Sequence, residues 1–137
     1  MKTFFDSSAF VKRYIEETGS QDVEALYMAA TELAVSVVCI PEVVSALNRR
    51  VREHDLSRRQ YETAKDNVFE DVRDADIVNL TPEAIATCTT ILEKSPVRTM
   101  DALHIACALQ WEAELFVSAD QRQVSAARKA GLRTKLV

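Results

Sequence analysis

Four carboxylates in this 137-residue chain stand where they could act together. Asp6 directly follows the apolar run Thr3-Phe4-Phe5, Glu42 follows a β-branched run that stops at Pro41, and Asp120 lies just past Phe116-Val117. Asp101 opens the segment DALHIACAL. Carboxylates are hard oxygen donors that suit Mg2+ or Mn2+, ions that keep several waters and also bind phosphate oxygens. Taken singly, each acid reads as ordinary helix chemistry, an N-cap or a first-turn charge. Taken jointly, like charges repel unless a cation neutralises them, and that repulsion is expected to raise at least one carboxylate pKa in the metal-free protein.

Joint placement depends on the elements that carry these residues. Thr3-Phe4-Phe5 reads as a strand, followed by a helix in which Ala9, Phe10, Val11 and Tyr14 recur at helical spacing. Ser20 is suited to cap a second helix through Val23, Leu26, Tyr27 and Ala30. Ala34 to Val38 predicts a strand, and Pro41 suits the first turn of a third helix carrying Val43, Val44, Ala46, Leu47 and Val51. Ser57 with Gln60 makes a capping-box start for a fourth. Ile77 to Leu80 reads as another strand, and Thr81-Pro82-Glu83 opens a helix that ends before Pro96. A further helix starts near Asp101, Leu115 to Ser118 is a strand, a helix through Val124, Ala127 and Ala130 stops at Gly131, and Thr134 to Val137 is the last strand. Short strands separated by helices imply an α/β sandwich with a mainly parallel central sheet. Ligands of such sheets gather beyond the carboxyl ends of the strands. Asp6, Glu42 and Asp120 then leave three strands at that edge, and Asp101 joins them if its helix begins beside it.

The length suits a single domain spanning residues 1–137. Cys39, Cys88 and Cys107 fall singly in apolar stretches with no CxxC pair, which suits a reducing compartment. No apolar run approaches a signal peptide or a membrane span, so a cytoplasmic location without membrane partners is expected. A formal net charge of −4 gives no global attraction to nucleic acid, so RNA would have to be held by a local basic surface or by bound metal. Arg49, Arg50, Arg52, Arg58 and Arg59, with Lys12, Arg13 and Arg98, are the candidate surface; the alternative is a pair of solvated helix faces, because Glu53, Asp55 and Glu62 interrupt the run. His104, one helical turn after Asp101, is either a substrate contact or proton carrier, or a partly buried packing residue. Ser8 stands where a haloacid-dehalogenase-like phosphatase would need a second Asp, and no GxGxxG or Walker A pattern is present.

The segments around the four acids resemble the PIN-domain ribonucleases, especially the VapC-type toxins of bacterial and archaeal toxin–antitoxin pairs. FFDSSAFVKRY at positions 4 to 14 is similar to the family's opening strand, first acid and following helix. Ser36-Val37-Val38 with Pro41-Glu42-Val43-Val44-Ser45-Ala46-Leu47 resembles the second motif, and Thr99 through Ala106 the third. Phe116 through Arg122 resembles the fourth, with Ser118 as the small hydroxyl residue two positions before the last acid. The four lie in the family's order over the whole chain. The resemblance implies a PIN-like three-layer sandwich and a hydrolytic, Mg2+- or Mn2+-dependent endoribonuclease, with Asp6, Glu42, Asp101 and Asp120 as the catalytic and metal-binding set. It further implies an RNA substrate, a VapB-like antitoxin and a homodimer. Asp6 and Asp101 are expected as principal ligands, Asp120 completing the shell directly or through water, and Glu42 either binding metal or positioning the attacking water. Ser118 either orients a carboxylate or serves as strand-end turn chemistry. The antitoxin's C-terminal segment is expected across the active-site groove, with Phe10, Tyr14, Leu26 and Tyr27 supplying part of that groove. The competing reading is a PIN-like domain kept as an RNA- or protein-binding module without nuclease activity.

Overall fold

The computed structural model describes residues 1–137. Strands β1 (Lys2–Phe5), β2 (Glu32–Ser36), β3 (Asp76–Val78), β4 (Leu115–Ser118) and β5 (Thr134–Leu136) form one sheet in the order β3-β2-β1-β4-β5. Every pairing is parallel, so the sheet expected to be mainly parallel is wholly so. Parallel neighbours need a crossover, and helices supply each one. The first is α1 (Ser7–Phe10), a 3-10 turn (Val11–Arg13) and α2 (Ser20–Ala29). The second is α3 (Cys39–Arg52) with α4 (Arg58–Asp71), the third α5 (Pro82–Lys94) with α6 (Thr99–Gln110), and the last α7 (Gln121–Lys129).

A central parallel strand is covered on both faces, which is why β1 is apolar at consecutive positions while successive side chains enter opposite layers. Phe4 points into the layer of α5, α6 and α7, among Ile91, Ile105, Phe116 and Ala127. Phe5 points into the layer of α1 to α4, among Phe10, Val23, Val43, Leu47 and Val68. Phe4 and its cross-strand partner Phe116 stack with ring centroids 5.9 Å apart and 12° between planes, fixing β1 against β4. Cys39, Val43 and Leu47 recur at four-residue spacing on the buried stripe of α3, while Arg49 and Arg52 stay exposed.

The chain steps outward from β1 to β2 to β3, then crosses back to place β4 on the other side of β1. The order therefore reverses between β1 and β4, and a crevice opens there beyond the carboxyl ends of the strands. Asp6 and Asp120 follow those two strands.

Local chemistry moves a few boundaries from where the sequence pattern puts them. The β2 strand stops at Ser36; the Val37 amide still reaches the Val78 carbonyl at 2.9 Å, but Val38 is already helical at φ −80° and ψ −10°. Helix α3 therefore starts at Cys39 with Pro41 in its first turn, as expected. Ser20 does not cap α2. Gly19 holds that position at φ 92°, and the Ser20 hydroxyl instead donates to the Ile15 carbonyl and accepts from the Glu17 amide, both at 3.0 Å. At Ser57 the capping box is present, with 3.1 Å from the Gln60 amide to the serine oxygen and 2.8 Å from the Ser57 amide to the glutamine oxygen. Of the four apolar residues expected to line an antitoxin groove, one lies wholly inside the core and three stay partly exposed at its edge. Phe10 is fully buried, and Tyr14, Leu26 and Tyr27 pack against the same cluster.

Phe116→Ala would remove the ring that joins β1 to β4 and leave a cavity beneath the crevice. A loss of about 3–5 kcal/mol is expected, read as a lower urea midpoint at unchanged slope.

Candidate active site

The four acids come together. Asp6, Glu42, Asp101 and Asp120 line one pocket of about 500 Å³ at the reversal point of the sheet. Asp6 is the N-cap of α1 and only 1% exposed. Its Oδ1 accepts from the Ala9 amide at 2.9 Å and from the Ser8 hydroxyl at 2.7 Å, whereas Oδ2 is buried without a hydrogen-bond partner. Capping and cluster are thus not rival readings of Asp6, because one oxygen serves the helix and the other faces no donor.

Hydroxyls tie the ends of β1 and β4 together. The Ser8 oxygen, besides donating to Asp6, accepts from the Ala119 amide at 3.0 Å and lies 3.3 Å from Ser118 Oγ. Ser118 in turn accepts from the Asp120 amide at 3.0 Å. Asp120 caps α7, its Oδ1 taking the Arg122 amide at 2.9 Å and the Gln123 amide at 3.4 Å. The buried Gln123 side chain donates to the Asp101 carbonyl at 3.1 Å, which docks the start of α6 beside α7. Asp101 joins the edge because α6 begins at Thr99 and places it in the first turn. On the facing wall, Glu42 Oε1 accepts from the Ser7 hydroxyl at 2.7 Å and from His104 Nε2 at 2.5 Å.

Burial pushes the Asp6 carboxyl above its ordinary range, against the charge of His104, the nearby Ser118 hydroxyl and the hydrogen bonds from Ala9 and Ser8. Burial also raises Asp101, with the charge of Asp120 adding to it and Arg98 and His104 opposing. Mutual repulsion, expected to raise at least one of the acids, is therefore the second cause at Asp101, and desolvation is the largest cause at both Asp6 and Asp101. Burial works to raise Glu42 as well, but hydrogen bonds from His104 and Ser7 outweigh it and hold that carboxylate below its ordinary range.

A buried carboxylate oxygen without a donor is costly, and a divalent cation in the pocket would satisfy it. No three of the His, Cys, Asp and Glu side chains converge into an all-protein metal cage. Mg2+ does not ask for one, since it is ordinarily held by one or two carboxylates with waters and substrate phosphates filling the remaining positions. The donor set fits such an ion.

Several site residues escaped the sequence reading. Ser7 and Ser8 carried one signal, two adjacent hydroxyls directly after the first acid. Ser36 and Gln123 carried none, because the fold alone brings them to His104 and Asp101. The candidate basic surface divides. Arg13 is held by Asp71 and Glu24 and lies 3.5 Å from the Tyr27 ring centroid. Lys12 pairs with Glu17 at 3.3 Å, and Arg50 with Glu17 at 2.5 Å. Arg49 and Arg98, both exposed, line the acid pocket itself.

The PIN domain profile matches residues 3–129. The chain belongs to the PIN domain family. It is 34% identical over 133 residues to Ribonuclease VapC45 of Mycobacterium tuberculosis, a match covering 95% of this chain and 92% of that protein. Its fold is similar to the crystal structure of Mycobacterium tuberculosis VapC20, a Sarcin-Ricin loop cleaving toxin, with a TM-score of 0.71 and 15% identity over 95% of both chains. A toxin–antitoxin complex from Klebsiella pneumoniae contains a chain of the same fold, with a TM-score of 0.67 and 12% identity over 90% of both. The PIN-like three-layer sandwich expected from the motifs is the fold observed. No helix of this PIN domain is long and apolar enough to cross a membrane.

Where a carboxyl is raised by folding, the folded state keeps a proton that the unfolded chain has lost. Metal-free stability therefore falls as pH rises from the unfolded pKa through the folded one, and stays reduced above it. Asp6→Asn keeps a cap and removes the buried charge. It should stabilise the metal-free protein at neutral pH by something on the order of 1 kcal/mol and flatten the pH dependence, as read by thermal melts in EDTA.

Proposed function

We propose that this protein is a metal-dependent endoribonuclease acting in the cytoplasm as the toxin of a toxin–antitoxin pair, with residues 1–137 forming a single PIN-like domain. The observation that carries the reading is Asp6 Oδ2, buried and without a donor in a pocket shared with three further carboxylates. The ribonuclease name of the 34%-identical relative supports the RNA substrate, and the fold shared with a toxin–antitoxin complex supports a VapB-like antitoxin. The complete acid set weighs against a binding module without activity.

Asp6 and Asp101 would hold Mg2+ or Mn2+, with Asp120 completing the set directly or through water. Such an ion, when bound, lowers the pKa of a water and stabilises a leaving oxygen. Glu42, held ionised by its donors, is placed to bind the ion or to orient the water. Ser8 and Ser118 keep the carboxyl ends of β1 and β4 in register, so that Asp6 and Asp120 face the same volume. Arg49 and Arg98 supply the positive charge that an overall anionic protein needs to receive a phosphodiester backbone. Ile85 and Leu92, exposed on α5 at seven-residue spacing, give the proposed homodimer an apolar face.

Purified protein should cut RNA in Mg2+ or Mn2+ and stop in excess EDTA. Asp101→Asn should lose more than about 100-fold in rate, since changes one layer outside a metal's ligands already cost 10–100-fold. Full activity in EDTA would rule out the metal reading. Induced expression without an antitoxin should arrest growth, and expression of Asp101→Asn should not.

Arg49→Ala should weaken binding of single-stranded RNA regardless of sequence. The slope of log affinity against log salt should fall by about 0.7, the share of one phosphate contact. An unchanged slope would make Arg49 a solvated helix-end charge.

A further inference from the structure

His104 is 2% exposed, yet both ring nitrogens are committed. Nδ1 lies 3.0 Å from Ser36 Oγ at the end of β2. Nε2 lies 2.5 Å from Glu42 Oε1 on α3 and 3.2 Å from Ser7 Oγ on α1, and that serine donates to the same glutamate oxygen. One ring thus joins α6 to three other elements around the pocket.

Proton bookkeeping fixes its orientation. An ionised carboxylate only accepts, so the proton between Glu42 and the ring sits on Nε2. The Ser36 hydroxyl can rotate to give or take at Nδ1, which leaves neither nitrogen unsatisfied in a buried position. The hydrogen bonds to Glu42 fall on Oε1 alone. Its side chain is 32% exposed and lines the pocket, so Oε2 is the oxygen left open to it. Any buried histidine needs a partner at each nitrogen; what singles out this one is that a partner is the pocket carboxylate Glu42, while the apolar neighbours Leu103 and Ile105 supply the packing of α6.

We propose that His104 is a positioning residue: gripped by Ser36, it fixes Oε1 of Glu42 so that Oε2 alone is presented to the pocket. This rests on the metal-dependent cleavage proposed above and assigns His104 neither direct metal ligation nor proton transfer. The side chain acts through Glu42, as donors behind metal-site carboxylates do.

The experiment is a double-mutant cycle between His104 and Glu42, read both by RNA cleavage in Mn2+ and by Mn2+ affinity from electron paramagnetic resonance. His104→Leu should lower kcat by about 10–100-fold with little change in KM for RNA, and should weaken Mn2+ binding. His104→Gln, whose amide can still donate to Glu42, should recover most of both. In a Glu42→Ala background, His104→Leu should cost nothing further in either measurement. An equal loss with and without Glu42 would overturn the proposal, as would unchanged kcat and Mn2+ affinity in His104→Leu. If His104→Leu does not fold, Ser36→Ala releases the ring's far nitrogen alone. It should give a smaller loss in the same direction that disappears without Glu42, and no loss would again overturn the proposal. A wild type that binds Mn2+ without cutting RNA would overturn the ribonuclease reading, while the cycle in Mn2+ affinity would still decide the role of His104.

Discussion

The site depends on one constraint, a carboxylate held out of water at the point where the sheet reverses its strand order. Asp6 is placed there because β1 is the central strand, buried on both faces by Phe4 and Phe5, and ends where β4 ends beside it. One of its oxygens is used up by the start of α1; the other is left with nothing to bond. Desolvation without compensation opposes folding, so the arrangement makes sense only with a cation or a proton as the missing partner. The neighbouring acids and the lowered pKa of Glu42 favour a cation.

Around that constraint the polar groups fall into two sets. Ser8, Ser118 and Gln123 join backbone to backbone or backbone to carboxylate, and their effect is to hold α1, α6 and α7 at the ends of β1 and β4. Ser7 and His104, the latter held from behind by Ser36, converge on Glu42 from the opposite wall. The first set keeps Asp6 and Asp101, whose pKa values are raised, in one pocket, while the second keeps an acid ionised. Their different environments give chemically similar carboxylates different protonation tendencies, as a site that binds a cation and orients a water requires.

Much of this was legible in the sequence, for definite reasons. An apolar run ending in an acid, repeated at Asp6 and Asp120, announces strand ends at one sheet edge, and α3 and α5 declare themselves by spacing and by Pro near the first turn. The capping box at Ser57 was readable because both partners lie within four residues. What failed to read was nonlocal. Ser20 looks like a cap, but a left-handed Gly19 leaves its hydroxyl free to close the preceding turn. Arg13 and Arg50 look like a nucleic-acid surface until the fold pairs them with acids 58 and 33 residues away. Phe10 looks like part of a groove until the α1 to α4 layer closes over it, while Tyr14 and Tyr27 stay partly exposed. The cause of the raised Asp6 pKa was likewise hidden, because burial is a property of the assembled core.

Direct location of a metal ion tests the central claim most sharply. In crystals of this protein grown with Mn2+, anomalous difference density should appear in the acid pocket at about 2.1 Å from Asp6 Oδ2, with waters completing the shell. Density confined to other sites, with Asp6 Oδ2 instead hydrogen-bonded to a protein donor, would contradict the claim that this oxygen is kept for a cation.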